Sequence, residues 1–413
     1  MTTTVTRSEA LDAADRVAEG LATPAQAWPG GRPSGGRSWP QSLGGGAAGI
    51  AVLHIERART GHADWRTAHT WLATAVKDEI SAAANANLYF GAPALAFVVH
   101  LADSATHRYG TVLTHLDDAT EKVTHARLRE AHARLDRGER PLMADFDQIR
   151  GLSGLGAYHL SRHPDHPVTR DVLSYLVRLT HTTLPDGRGL PPWWTSVAPN
   201  GEPSSRYPHG HGNVGLSHGI GSALTLMSLA LQHEVTVPGL TEAIVTVCAW
   251  TDQWQQGTDN APWWPGFLTI ENALRTEPPA QPRPSWCYGV TGTARAQQLA
   301  GLALNEPARV HTAESALLAV LRDADQLARL PEVGLCHGIA GLLHTARRMA
   351  DQTQNPEIAA ELPRLAHQLV TALEAPGLDP EFLDGAAGAA LALHSLGVQH
   401  IPAPHWDTCL ALA

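Results

Sequence analysis

The chain has 413 residues, 43% of them hydrophobic, enough for one large domain or two ordinary ones with a sizeable buried core. A formal net charge of −10 argues against an electrostatic grip on nucleic acid or anionic lipid, and no apolar run reaches the ~18 residues that insert stably across a bilayer. The N-terminal MTTTVTRSEALDAADRVAEG has no apolar stretch of signal-peptide type, so the protein is expected in the cytoplasm, with small molecules or peptides as partners.

In chain order, a short glycine turn followed by an apolar helix recurs seven times. The segments are GAAGIAVLHIE from Gly46, GAPALAFVVHLA from Gly91, GLSGLGAYHL from Gly151, GIGSALTLMSLA from Gly219, GVTGTARAQQLA from Gly289, GIAGLLHTARRMA from Gly338 and GAAGAALALHSL from Gly385. Their leading glycines stand 45, 60, 68, 70, 49 and 47 residues apart, which fits one helical hairpin per repeat with extra loop in the middle repeats. The helices after the glycines are apolar on most sides, as buried elements should be. Between them lie amphipathic stretches such as WRTAHTWLATAVKDEISAA and TRDVLSYLVRLTHTTL. Inner helices alternating with outer ones give an all-α fold, an α/α toroid, in a single domain over residues 1–413; an open α-solenoid is the alternative.

Two long arms interrupt the helices, about residues 183–213 and 255–286, each with a Pro-Trp-Trp. Trp194 precedes Gly219 by 25 residues, as Trp264 precedes Gly289, so the arms are repeat-equivalent; they are expected as ordered covers at one rim, with some short strand structure. The Pro/Gly-rich stretch from Pro24 to Gly46 reads either as a linker or as an ordered edge of the first repeat.

Four cysteines are too few for a disulfide scaffold of this size, so any special use is metal binding or catalysis. Counted back from the leading glycines, position −2 is Cys287 in the fifth repeat and Cys336 in the sixth. Position −1 is His218, Tyr288 and His337 in the fourth, fifth and sixth, and Asp384 in the seventh. Equivalent positions in a ring converge, and two thiolates with one imidazole make a Cys2His triad suited to zinc. Asp147 at −4 and Arg283 at −6 lie just upstream in their own repeats. Cys248 and Cys409 read as packing. His209 and His211 read as solvated loop residues, His311, His344 and His394 as surface or core filler, and Asp384 as a helix cap.

GLSHGIGSAL, SWCYGVTG and GLCHGIAG, in this order, resemble the signature of the lanthionine synthetase cyclases, the LanC-like family, and FDQIRGLSGLGAY is similar to that family's third-repeat segment. The resemblance runs over nearly the whole chain. It implies a toroid of seven inner and seven outer helices with a zinc ion held by Cys287, Cys336 and His337. It further implies His218 as acid/base and Asp147, Tyr288 and Arg283 as the remaining active-site residues. Ser222, where other turns have Gly or Ala, is a mild departure. No fused kinase or dehydratase domain is present in the sequence, so the resemblance is to stand-alone enzymes. These act on a dehydrated precursor peptide, leader plus core, beside a separate dehydratase and an exporter.

The implied chemistry suits the residues. A free thiol is mostly protonated at pH 7, and zinc held by three protein ligands leaves a fourth position for the substrate sulfur as thiolate. Two protein thiolates already neutralise the ion, which keeps that sulfur electron-rich. Addition to a dehydroalanine or dehydrobutyrine generates an enolate, and His218 is the candidate acid that protonates the α-carbon. Asp147 is either its partner or the acceptor of the thiol proton, and Tyr288 and Arg283 could hydrogen-bond the enolate oxygen. Other readings are a structural zinc scaffold closed by Cys409 or Cys248, a zinc prenyltransferase, and an enzyme adding glutathione or another free thiol to dehydrated residues.

Overall fold

The computed structural model describes residues 4–31, 39–184 and 189–413. In chain order come α1 (Arg7–Gly20) and the single turn α2 (Pro24–Ala27), then α3 (Ala47–Arg59), α4 (Trp65–Ala75), α5 (Ala92–Thr106), α6 (Gly110–Asp136), α7 (Leu152–Arg162) and α8 (Pro167–His181). They are followed by α9 (Ile220–Gln232), α10 (Leu240–Asp252), the short α11 (Ile270–Ala273), α12 (Val290–Ala303) and α13 (Pro307–Arg322). The short α14 (Ala324–Ala328), α15 (Ile339–Thr353), α16 (Pro356–Ala372) and α17 (Ala386–Gly397) complete the set. Among the described residues no helix is long and apolar enough to cross a membrane.

Each of the seven leading glycines is the N-cap residue of the helix expected after it, opening α3, α5, α7, α9, α12, α15 and α17. The Gly-x-x-Gly spacing has a steric cause, clearest in the fifth repeat. A Cβ on Gly289 would fall on the carbonyl of Arg283, and one on Gly292 on the carbonyl of Trp286. Both glycines stand six residues after the carbonyl they touch, so the preceding turn folds back against the first turn of its own helix, and any side chain there would push the two apart. These helices are buried nearly all round: Ile220 to Ala230 of α9 and Val290 to Gly301 of α12 are buried without a break. The intervening helices are one-sided, as in α16, where Ile358, Leu362, Leu365, Ala366 and Leu369 are the buried positions.

The chain divides into two compact units, residues 1–120 with 323–407 and residues 121–322 with 408–413. In the first, α3 packs on α4, α5 and α17, and α15 packs on α16 and α17. Contact between α3 and α17 joins the first and last glycine-turn helices, which an open array would leave at opposite ends. The N-terminal helix α1 lies along α17. It starts at a capping box, Thr6 with Glu9, and sets Ala10, Ala13, Ala14 and Ala18 inward. In the second unit α7 packs on α8 and α9, α9 on α10 and α12, and α12 on α13.

The two arms belong to the second unit and pair with each other. Strand β1 (Gly212–Asn213) runs antiparallel to β4 (Phe267–Leu268), while β2 (Gln256–Thr258) and β3 (Ala261–Trp263) form a hairpin within the second arm. Trp194 and Trp264, the repeat-equivalent pair, are both buried. Residues 185–188 of the first arm and 32–38 of the Pro/Gly-rich stretch lie outside the described residues. Of the remainder of that stretch, Pro40 to Gly46 is buried and leads directly into α3, an ordered edge rather than a linker.

Candidate active site

The turn before α12 presents Cys287 and Tyr288. Cys287 is buried, its Sγ 3.3 Å from the Ser285 hydroxyl, and its carbonyl accepts from the backbone N–H groups of Leu216 (3.0 Å) and Ser217 (3.2 Å). Those two residues precede His218, so the turns of the fourth and fifth repeats are hydrogen-bonded to each other. The ring of Tyr288 lies between Phe267 of the second arm, at 4.4 Å between centroids, and the His218 imidazole, at 6.1 Å and an interplanar angle of 27°. The second arm therefore acts locally, because its strand β4 carries the residue that backs Tyr288.

His218 Nδ1 lies 2.5 Å from Asp147 Oδ2. Asp147 is fully buried, and its other oxygen accepts from the Arg150 backbone N–H at 2.6 Å. The His218 side chain keeps 20% of its surface. A carboxylate with both oxygens engaged and no exposure is suited to orienting the imidazole and stabilising its protonated form, with Nε2 left for chemistry. Of the two roles expected for Asp147, this geometry suits that of partner to His218. The Asp147 turn is itself held on several sides. Arg134 pairs with Asp145 at 2.9 Å, Ser153 Oγ donates to the Phe146 carbonyl at 2.6 Å, and Arg127 donates to the Arg150 carbonyl. Arg283 is half-buried in the segment leading into Cys287, and its carbonyl accepts from the Ser285 N–H at 2.8 Å.

In the other unit the turn before α15 presents Cys336, half-buried, and His337. The Cys336 N–H donates to the Leu383 carbonyl at 2.9 Å, docking this turn on the one before α17. His337 has a carboxylate at each nitrogen: Glu332 Oε2 is 3.2 Å from Nε2 and Asp384 Oδ1 is 3.5 Å from Nδ1. The expected capping role of Asp384 is not what the structure holds. Gly385 is the N-cap of α17 with no side-chain cap bond, and Asp384 faces His337 instead. A histidine that ligates a metal through one nitrogen commonly has its other nitrogen oriented by a carboxylate, so either acid can serve. Position −1 of the seventh repeat was the signal for that role.

Cys287 lies in the second unit and Cys336 and His337 in the first, each at the turn position expected for it. The donor set passes the chemical test for zinc, being two soft sulfurs and an imidazole with a carboxylate behind the imidazole. Cys248 and Cys409 are buried, and burial pushes the Cys248 thiol up to about 12.

Among the other histidines His211 departs from expectation. His209 is exposed, but His211 is fully buried, with Nδ1 2.7 Å from the Val197 carbonyl, and burial lowers its pKa to about 4. It is part of the packing between the arms, not a solvated loop residue. His344 and His394 are buried too: His344 Nε2 lies 2.7 Å from Asp407, and His394 Nε2 lies 2.8 Å from the Thr60 hydroxyl. His311 is exposed.

The family model of lanthionine synthetase C-like protein matches residues 37–411. Among solved structures the chain is similar to nisin cyclase, with a TM-score of 0.80, 20% sequence identity, and coverage of 96% of this chain and 97% of that one. No curated protein sequence matches the chain. The structural match bears out the expected all-α architecture, the α/α toroid of nisin cyclase. With nine-tenths of its length inside the family model, and with the glycine turns and the Cys, His and Asp residues arranged as described, the chain belongs to the lanthionine synthetase C-like family.

Proposed function

We propose that this protein is a zinc-dependent lanthipeptide cyclase, adding cysteine thiolates of a dehydrated precursor peptide to dehydroalanine or dehydrobutyrine residues to close lanthionine and methyllanthionine rings. The observation that carries the reading is the His218–Asp147 pair at 2.5 Å, stacked beside Tyr288 and one turn from Cys287, in a chain of this family. Cys287, Cys336 and His337 are the ligands, and both units serve as one catalytic domain, since the family model spans them. The enzyme works in the cytoplasm beside a separate dehydratase and an exporter.

Zinc, when bound, supplies a thiolate at neutral pH without hydrolytic power, because two protein thiolates already neutralise its charge. The remaining chemistry belongs to the side chains. Attack of sulfur on the β-carbon forms the C–S bond and moves the double-bond pair to the peptide carbonyl oxygen as an enolate. His218, held by Asp147 at Nδ1, delivers a proton from Nε2 to the α-carbon and is recharged by the proton released from the thiol, so the addition needs no oxidant or reductant. Tyr288 and Arg283 stabilise the enolate oxygen. Asp147 and Cys287 are buried, while the His218 side chain keeps its solvent-facing fifth open toward the substrate side.

The test is incubation of a dehydrated, cysteine-containing precursor with the purified protein, followed by thiol alkylation and mass spectrometry. Ring closure protects the cysteines from alkylation at unchanged mass. Cysteines that stay fully alkylatable with zinc present refute cyclisation. A mass gain when glutathione is added instead identifies the alternative, intermolecular thiol addition.

A further inference from the structure

The C-terminal residues are held by donors that neighbour the site in sequence. Gln148, next to Asp147, donates from Nε2 to the carbonyls of Thr408 (3.3 Å) and Cys409 (2.9 Å). Trp286, next to Cys287, donates from Nε1 to the carbonyl of Leu410 at 2.9 Å. Arg295 on α12 donates to the carbonyl of Leu412 at 2.6 Å. Both Gln148 and Trp286 are fully buried, as are Cys409 and Leu412. A buried N–H must meet an acceptor, and here each acceptor is a main-chain carbonyl of a buried segment that cannot swing aside as a side chain could.

The same turns are joined a second way. The Gln148 N–H donates to the Ser217 carbonyl at 3.1 Å, and the Ser217 N–H and hydroxyl both donate to the Cys287 carbonyl, at 3.2 and 3.3 Å. Going round, the bonds run from Cys409 to Gln148, from Gln148 to Ser217, from Ser217 to Cys287, and from Trp286 back to Leu410. The circuit is closed, and it passes through the immediate neighbours of Asp147 and His218 and through Cys287 itself. These residues come from three repeats and have no covalent reason to keep a common spacing. Adjacent carbonyls of one tail do.

We propose that the tail Thr408–Leu412 closes this circuit and sets the mutual placement of Asp147, His218 and Cys287, so that Gln148 and Trp286 are positioning residues for the reaction. The kinetic part rests on the cyclase reading; the placement part does not. The test uses the full chain carrying Gln148→Leu or Trp286→Phe, each of which removes a donor while keeping most of the side-chain volume. A chain ending at Asp407 is the harsher variant. Thr124→Val is the control, since it breaks a buried bond to His159 Nε2 (2.9 Å) in the same unit but outside the circuit. Amide hydrogen exchange is read at Arg150, bonded to Asp147 Oδ1, and at Leu216 and Ser217, bonded to the Cys287 carbonyl.

Gln148→Leu and Trp286→Phe are expected to speed exchange at these amides and to lower kcat about tenfold with KM little changed, as a misplacement of reacting groups without loss of substrate contacts would. Thr124→Val should lower the melting temperature and leave both readouts alone. Wild-type exchange in both circuit variants overturns the proposal, and so does an equal effect in Thr124→Val. Faster exchange with unchanged kcat overturns the positioning role. If the wild type closes no rings, the cyclase reading fails, while the exchange comparison still decides whether the tail holds the turns.

Discussion

Asp147→Asn isolates the electrostatic part of the histidine–carboxylate pair. The amide oxygen can still accept from the Arg150 N–H, 2.6 Å from Oδ1 in the native protein, so the turn keeps its shape. The NH2 group then faces His218 Nδ1, where a carboxylate oxygen stood at 2.5 Å. A donor there favours the tautomer with Nδ1 as acceptor and removes the negative charge that stabilises the imidazolium. A charge-assisted hydrogen bond of this kind contributes about 1.5–3 kcal/mol, and each 1.36 kcal/mol is tenfold in rate, so ring closure should slow by about 10- to 150-fold. Full burial of Asp147 supports the upper half of that range, since no water can replace the lost acceptor. The assay follows cysteine protection by alkylation and mass spectrometry in deuterated water, with α-carbon deuterium reporting the protonation step and zinc measured by emission spectrometry. Zinc content should be unchanged. A wild-type rate would refute the role of Asp147 in holding His218, and loss of zinc would show that the carboxylate serves the metal instead.

Replacing His218 itself by Ala should leave zinc and fold intact and cost roughly 10²–10⁴-fold in rate, with zinc loss in the emission measurement making it a ligand instead. Cys287→Ala and Cys336→Ala should each remove most of the metal, and His337→Ala part of it, whereas Cys248→Ala and Cys409→Ala should retain it; full zinc in both of the first two variants would refute the ligand set. Gly292→Ala places a Cβ on the Trp286 carbonyl and should destabilise by about 1–3 kcal/mol in thermal melts, while Gly110→Ala, with nothing near its Cβ position, should be neutral or mildly stabilising. Stability should also fall with pH below 6.5. Burial lowers the pKa of His54, His211 and His405 to about 4 and of His159 and His394 to about 3, so the unfolded chain takes up protons below pH 6.5 that the folded one refuses until about pH 4. Glu56, raised by burial to about 7, works in the opposite sense between pH 7 and 4.5 and offsets roughly one histidine. The remaining four would cost several kcal/mol at pH 5.5, at up to about 1.4 kcal/mol per group per pH unit. Urea midpoints that stay flat from pH 7 to 5.5 would count against neutral buried histidines.

What was legible in the sequence is local. The Gly-x-x-Gly pattern recurs in five of the seven glycine turns, and in the fifth, sixth and seventh its cause, contact of both glycines with carbonyls six residues upstream, lies within one turn and its helix. Apolar content on all sides or on one side sorts the helices into two kinds, and the repeat frame brings Cys287, Cys336, His337, His218 and Tyr288 to notice together. What only the tertiary structure decided involves partners far apart in the chain. Asp147 meets His218 across 71 residues, and Asp384 turns to His337 rather than to its own helix. His211 is buried between the arms, since a Pro/Gly-rich loop reads as solvated until its packing partner is known. The N-terminal helix pairs with α17, nearly the full length of the chain away, and the C-terminal carbonyls meet Gln148 and Trp286. Hydrogen-bond donors such as Gln148 and Trp286 carry no period and no spacing of their own. Their acceptors are main-chain carbonyls, which every residue has, so nothing in the side-chain order distinguishes the ones they find.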